Sequence, residues 1–189
     1  WKKGVQAYLA SISFVDTYVG ELLDGLDESK YADNTIVVLW GDHGWHLGEK
    51  QHWRKQALWE DTTHVPFIVS YPKKIAKNSI CESPVSFIDI YPTLVDLSGI
   101  PKKEGLDGKS LKELLINPSM EWNRPVLSTY GKGNHAVRSG KWRYIQYRDG
   151  SSELYDHKND PNEWYNLSGD DQFQNIIQKL KQHLPEIEK

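Results

Sequence analysis

A short apolar run at residues 35–40 (TIVVLW) constrains the fold of this chain more than any other feature. The run is continuous, rich in β-branched residues and flanked by polar ones, which predicts a strand buried on both faces. Strands of that kind belong mainly to α/β sheets, whose helices cover both faces. Apolar residues spaced three and four apart over residues 5–26 predict an amphipathic helix that covers such a sheet. The chain therefore opens in the pattern of an α/β fold.

The next segments extend this pattern. Residues 55–60 could form a short helix, and residues 65–71 are typical of a second strand. Residues 86–97 predict a helix that either kinks at Pro92 or begins at Tyr91, because proline is tolerated only in the first turn of a helix.

The pattern changes after residue 105. Ser110 is placed to cap a short helix. Beyond it, glycine-containing turns separate short apolar runs, which predicts a small antiparallel sheet with strands at residues 126–130, 135–138, 142–148 and 153–155. Helical spacing over residues 172–184 predicts a C-terminal helix packed on that sheet. We therefore expect an α/β part at residues 1–105 and a small α+β subdomain at residues 106–189.

Composition excludes several classes of function. The net charge is −3 with no long run of one sign, so no nucleic-acid partner is indicated. No apolar stretch approaches the roughly 18 residues of a membrane span. The single cysteine, Cys81, excludes an internal disulfide, and we expect it to be a buried or half-buried structural thiol. Because the chain opens on Trp1 and enters a helix almost at once, we expect it to be part of something longer.

Polar side chains crowd together directly after the first predicted strand, in the stretch WGDHGWHLGEKQHWRK at residues 40–55. In open α/β sheets, ligands bind where the strands end. Asp42 and His43 are adjacent there, and a carboxylate with an imidazole is a plausible pair for a divalent cation. The alternative is an aspartate that caps local backbone beside a histidine with its own hydrogen bond.

Two glycines in this stretch suggest a tightly folded loop. Gly44 and Gly48 permit unusual backbone angles, which would bring His46 and Lys55 to the same cavity. Lys55 could then neutralise an anionic substrate, although an isolated lysine is more often a solvated surface cation.

Several stretches, in order along most of the chain, resemble the C-terminal half of type I sulfatases, and within them the iduronate-2-sulfatase-like subgroup. The stretches that carry the resemblance are YLASISFVDTYVGEL, NTIVV, GDHGWHLGE, THVPFI, FIDIYPTL, HAVRSGKWRY, ELYD and NDPNE. The resemblance implies an alkaline-phosphatase-like α/β fold, of which this chain would be the C-terminal part. It also implies a sulfuric ester hydrolase acting on sulfated carbohydrate.

The resemblance assigns roles to three residues. It implies that Asp42 and His43 are ligands of Ca²⁺ and that Lys55, thirteen positions after Asp42, binds the sulfate. The nucleophile of the family is a formylglycine made from a Cys/Ser-x-Pro/Ala-x-Arg motif, and the sequence around Cys81 does not fit that motif. We therefore expect the nucleophile and two further calcium ligands to come from an N-terminal half of the same enzyme, and this chain alone to be inactive.

The remaining histidines have both functional and structural interpretations. His46 and His52 could contact the sugar or protonate the leaving oxygen, or they could be structural. His135 opens a strand of the small sheet that closes over the active site in this family, so it could bind substrate. His64 is expected to support the loop, whereas His157 and His183 are expected on the surface.

Three arginines on the small sheet, Arg138, Arg143 and Arg148, could bind a uronate or a second sulfate. The favoured interpretation is that they pair with nearby acids such as Asp149 or Asp156.

Two rival functions stay open. A phosphodiesterase or phosphonate hydrolase of the same superfamily would share the fold, because fold alone does not select sulfate over phosphate. A non-catalytic carbohydrate-binding fragment could use the abundant tryptophans and tyrosines near the C-terminal sheet. The resemblance favours a periplasmic or secreted location, with a lysosomal one as the alternative.

Overall fold

The computed structural model describes residues 1–185. Within these residues the helices and strands follow in the order α1 (Lys2–Asp27), β1 (Val37–Trp40), β2 (His46–Leu47), β3 (Trp53–Arg54), α2 (Glu60–Thr63), β4 (Phe67–Ser70), α3 (Ile90–Leu97), α4 (Lys112–Ile116), β5 (Val126–Thr129), β6 (His135–Ser139), β7 (Trp142–Gln146), β8 (Ser152–Asp156) and α5 (Gln174–Lys181). In the described part of the chain, none of the helices combines the length and the apolar character needed to cross a membrane.

Strand β1 forms where the apolar run predicts it, but its burial is not as predicted. It pairs antiparallel with β4 in a sheet of two strands. Leu39 and Trp40 remain 39 % and 47 % exposed, and α1 buries none of its residues. The prediction of a strand buried on both faces is therefore wrong for residues 1–185, because a two-stranded sheet without a covering helix leaves its faces open.

The connection between β1 and β4 carries the polar stretch. Strands β2 and β3 pair antiparallel, and the single-turn helix α2 follows them. The predicted helix at residues 55–60 is wrong, since a helix begins only at Glu60. Just before this segment, Lys50, Gln51 and Arg54 adopt positive φ angles of 53°, 57° and 78°, so the chain enters it from an irregular turn.

Helix α3 begins at Ile90, one residue before the start at Tyr91 that is one of the two predicted alternatives. A 3₁₀ turn precedes it, with a capping box between Ser86 and Asp89. The α-helix then begins at Ile90, which places Pro92 in its first turn, where no N–H is needed. Helix α4 begins after Ser110, whose hydroxyl accepts a hydrogen bond from the Lys112 amide at 3.2 Å, as predicted.

The small C-terminal sheet is confirmed. Strands β5 to β8 form an antiparallel meander in sequence order, with Gly150 at a φ of 90° in the last turn. Helix α5 is shorter than predicted, but it packs on the sheet through a core of Val137, Tyr144, Leu154, Ile177 and Leu180. The last four residues of the predicted subdomain, 186–189, lie outside the described residues.

Candidate active site

The polar loop after β1 brings three predicted site residues together. Nζ of Lys55 lies 2.8 Å from Nε2 of His43, and that nitrogen lies 3.3 Å from Oδ2 of Asp42. All three side chains line one open cavity of about 1260 Å³. The loop thus collects a carboxylate, an imidazole and an ammonium at one place.

The hydrogen bonds of His43 indicate which ring nitrogen carries the proton. Nδ1 lies 2.9 Å from the carbonyl oxygen of Gly44, which can only accept, so Nδ1 carries the proton and donates. In a neutral ring Nε2 then has a lone pair, which accepts from the ammonium of Lys55. A backbone carbonyl that fixes the ring in this way is a common outer support for a metal-binding histidine.

Helix α2 packs against the loop that carries Asp42 and His43. The amide of Gly44 donates to the carbonyl of Thr62 at 2.7 Å. A Cβ atom on Gly44 would lie 1.9 Å from the carbonyl oxygen of Asp61, so only glycine allows this approach. The loop therefore folds back tightly at Gly44, as its sequence predicts, and its position depends on α2.

His46 and His52 lie behind the cavity rather than in its lining. His46 is fully buried, and its Nδ1 shares a 3.0 Å hydrogen bond with the hydroxyl of Thr62. Burial lowers the pKa of His46, although Asp61 opposes this effect. The rings of His46, His52 and Trp59 pack edge to face, with centroids 5.0 to 5.8 Å apart. The proposed roles of both histidines in catalysis or binding stay predictions.

His135 has a similar position on the small sheet. It is 8 % exposed, and its Nδ1 shares a 2.8 Å hydrogen bond with the hydroxyl of Thr129, which does line the cavity. Both His46 and His135 therefore hold a threonine hydroxyl of the cavity wall, and neither ring reaches the cavity itself.

The prediction that arginines of the small sheet pair with acids is confirmed for Arg138 and Arg143, but the predicted partners, Asp149 and Asp156, are wrong. Arg143 is 2 % exposed and pairs with Glu60 and Glu163, and Arg138 also pairs with Glu60. Asp156 instead forms an ion pair with Lys141 over 2.6 Å. The two glutamates lie 83 and 20 positions from Arg143 and are brought to it only by the tertiary fold, so sequence spacing did not indicate them.

The surface position predicted for His157 is wrong. Its side chain is 9 % exposed and lies 2.8 Å from Glu163 and 3.4 Å from Glu60. Burial would raise the pKa of Glu60, but the hydrogen bond to His157 and the charges of Arg143 and Arg138 hold it well below its ordinary value.

The cluster formed by Glu60, His157 and Glu163 has its donor atoms within 4.8 Å of one another. A metal would have to displace the arginines that already neutralise both carboxylates. We therefore interpret this cluster as an ion-pair network and not as a cation site.

Three further predictions have clear outcomes. Cys81 is exposed, so the expectation of a buried or half-buried thiol is wrong. His183 is exposed, as predicted. The ring of His64 is 78 % exposed, so the expectation that it supports the loop is wrong, and its backbone amide only closes the end of α2 by donating to the carbonyl of Glu60.

Known proteins match this chain over most of its length. Residues 48–189 match the family model described as N-sulphoglucosamine sulphohydrolase, C-terminal. A sulfatase from Formosa agariphila is 45 % identical over 185 residues, which cover 98 % of this chain and 36 % of that protein. A protein solved in complex with its substrate D-glucosamine-2-N,6-O-disulfate has a TM-score of 0.84 at 29 % identity, over 93 % of this chain and 38 % of that one.

A phosphonate monoester hydrolase from Silicibacter pomeroyi shares the fold. Its TM-score is 0.77 at 24 % identity, over 89 % of this chain and 37 % of that one. The likeness at this level concerns the fold alone.

The fold, with the polar loop at the end of β1, is that of the C-terminal part of an alkaline-phosphatase-like sulfatase domain. The chain belongs to the N-sulphoglucosamine sulphohydrolase C-terminal family, whose model matches it from residue 48 onward. It spans 36 % of the length of the Formosa sulfatase.

Proposed function

We propose that this chain contributes part of the active site of a calcium-dependent sulfuric ester hydrolase that acts on a sulfated carbohydrate. The observation that supports this most is the meeting of Asp42, His43 and Lys55 at one cavity. A carboxylate, an imidazole with a lone pair and an ammonium can bind a cation and an anion side by side. This combination suits an ester whose oxygens gain negative charge as the bond to the leaving oxygen breaks.

Asp42 and His43 fit a cation site by their chemistry. Oδ2 of Asp42 and Nε2 of His43 are 3.3 Å apart, and the cation that now contacts Nε2 is the ammonium of Lys55. Calcium, when bound, would withdraw charge from the sulfuryl oxygens. Calcium prefers about six to eight ligands, mostly oxygens, so two residues cannot complete the site. We propose that two aspartates from an N-terminal segment complete it.

Lys55 would bind the sulfate group. Its ammonium would hydrogen-bond a sulfuryl oxygen and offset the negative charge that grows there. His46, His52 and His135 stay candidate substrate or proton-transfer residues. Because their rings lie behind the cavity wall, His46 and His135 would act through the hydroxyls of Thr62 and Thr129.

The nucleophile in this proposal is a formylglycine that the N-terminal half of the enzyme supplies, so this chain alone would not turn over substrate. We also propose the iduronate-2-sulfatase-like subgroup, a periplasmic or secreted location, and the division between an α/β part at residues 1–105 and a subdomain at residues 106–189. The relative solved with a disulfated glucosamine supports a sulfated saccharide as the substrate.

One rival has support from the fold comparison. A phosphonate monoester hydrolase shares this architecture, so the same loop could serve phosphonate or phosphodiester hydrolysis.

The proposal is tested on the native gene product that carries this chain. Turnover of an aryl sulfate, a phosphate diester and a phosphonate monoester should be compared before and after chelation and after calcium is restored. We expect the sulfate ester to be preferred, with activity that is lost on chelation and recovered with calcium. Preference for the phosphonate ester would overturn the sulfatase assignment, and sugar binding without turnover that survives both chelation and Asp42→Ala would show a binding fragment.

A further inference from the structure

One buried side chain of the small sheet contacts the segment that carries Lys55 and the helix that holds the Asp42–His43 loop. This side chain is Arg143 on β7, which is 2 % exposed. We infer that Arg143 is a positioning residue for the sulfate-binding lysine and for the cation-binding pair. The inference rests on the function proposed above, and it assigns part of that function to the C-terminal sheet.

The first link runs from Arg143 to the segment around Lys55. An Nη1 hydrogen of Arg143 is donated to the carbonyl of Leu58 at 2.9 Å. The side chain of Leu58 is 4 % exposed and packs against Ala136, Ile145 and Tyr155 of the sheet. The amide of Ala57 donates to the carbonyl of Lys55 at 2.9 Å, so the chain between Lys55 and Leu58 is a tight turn. The position of the Lys55 backbone therefore depends on the position of Leu58.

The second link runs from Arg143 through helix α2 to the loop. Nη2 of Arg143 donates to the carboxylate of Glu60 and, at 2.9 Å, to the hydroxyl of Thr63. These are the first and last residues of α2. The same helix accepts the Gly44 amide through the carbonyl of Thr62 at 2.7 Å. Because Gly44 has no space for a Cβ atom against α2, any shift of the helix is transmitted to the loop.

The geometry requires a guanidinium in particular. Nε of Arg143 also forms an ion pair with Oε1 of Glu163 over 2.7 Å, without the alignment of a hydrogen bond, and Oε2 of Glu163 accepts the backbone amide of Glu60 at 2.9 Å. Arginine presents five N–H donors in a rigid plane, which lets one side chain serve partners in several directions. A lysine would keep the positive charge, but its single ammonium could not reach all of these partners.

The test uses the native gene product. Arg143→Lys should lower kcat for an aryl sulfate by roughly 10- to 100-fold with a smaller change in KM, because it misplaces Lys55 without removing the charge. The decisive measurement is the double variant with Lys55→Ala. Because only its action through the Asp42–His43 pair remains in that background, Arg143→Lys should lower activity there by a clearly smaller factor than in the protein that retains Lys55. Fully additive losses would overturn the inference.

A matched control comes from the same sheet. Lys141 forms a 2.6 Å ion pair with Asp156, and its ammonium lies 4.4 Å from the ring centroid of Trp142. Lys141→Gln should leave kcat within about twofold of the wild-type value. An equal loss of activity in Lys141→Gln would show a general effect of sheet stability and would contradict a role specific to Arg143.

Hydrogen exchange separates this inference from the proposed function. In Arg143→Lys, amides of residues 41–48 and 55–63 should exchange faster, whereas those of α5 should not. Unchanged exchange in the loop would overturn the inference whatever the activity. Faster exchange in a protein that hydrolyses no sulfate ester would support the inference and overturn only the proposed function. Glu60→Gln, which weakens the same ion pair with little change of shape, gives the same readouts if Arg143→Lys does not fold.

Discussion

The ammonium of Lys55 donates a hydrogen bond to Nε2 of His43 over 2.8 Å, although the two residues lie 12 positions apart in the sequence. The same nitrogen is the atom with which His43 would bind a cation, since its Nδ1 is committed to the carbonyl of Gly44. A metal ion and the ammonium would therefore compete for one lone pair. When the metal binds, Lys55 would be released toward the cavity and its anionic ligand.

Replacing Lys55 should abolish most of the sulfate ester hydrolysis. In the native gene product, Lys55→Ala should lower kcat by about 100- to 1000-fold, which is typical for the loss of one donor to a developing negative charge. Steady-state kinetics with an aryl sulfate measures the effect. Lys73→Ala is the control, because Lys73 pairs with Asp33 on the surface at 2.7 Å. Near-normal turnover in Lys55→Ala would contradict the assigned role.

Calcium affinity should respond in opposite directions to two substitutions. Asp42→Asn removes the negative charge of a proposed ligand and should weaken calcium binding by at least roughly tenfold. Lys55→Met removes the competing positive charge next to His43 and should strengthen binding by roughly two- to tenfold. Isothermal titration with calcium measures both variants without any substrate. If both substitutions weakened binding equally, Nε2 of His43 would not be the atom that the ion and the ammonium share.

The parts of the fold that could be predicted from the sequence depend on local signals. The meander β5 to β8 follows from short apolar runs and from glycine turns such as that at Gly150, and both act within a few residues. The burial of β1 could not be predicted correctly, because it depends on which layers cover the strand. The same holds for α1, whose apolar face predicts a covering role although the helix buries no residue within residues 1–185.

The same distinction between local sequence signals and tertiary packing holds for the candidate site. Asp42, His43 and Lys55 could be predicted because a glycine loop at a strand end has few ways to fold and because the stretch resembles sulfatases. The network of Arg143, Glu60 and Glu163 could not, since its members look like ordinary surface residues and are joined only by the tertiary fold. Sequence spacing favoured nearby acids as partners of Arg143, whereas burial selected distant ones.

Gly44→Ala should destabilise the protein strongly. The new Cβ would lie 1.9 Å from the carbonyl oxygen of Asp61, so the loop and α2 would have to separate. We expect a loss of roughly 1 to 3 kcal/mol in the free energy of unfolding, measured by urea denaturation. The control is Gly25→Ala in α1, where a Cβ meets nothing within 4 Å and should stabilise the helix by about 0.5 to 1 kcal/mol. Equal effects of the two substitutions would show that the loop does not pack closely on α2.

The stabilising effect of His157 should depend on pH. Burial acts to lower the pKa of its ring, but hydrogen bonds to Glu163 and Glu60 outweigh burial and raise this pKa above its ordinary value of 6.5. Because the folded state then binds the proton more tightly than the unfolded state, the stabilisation is complete below about pH 6.5 and is lost as the pH rises through the folded-state pKa.

His157→Gln tests this dependence by removing the titrating ring while keeping a hydrogen-bond donor. The difference in free energy of unfolding between the wild type and His157→Gln should be largest near pH 6 and should shrink toward pH 9. Urea denaturation across this range measures it, with His183→Gln as the control because His183 is exposed. A difference that stayed constant or grew with pH would mean that His157 is not held in its protonated form between the two glutamates.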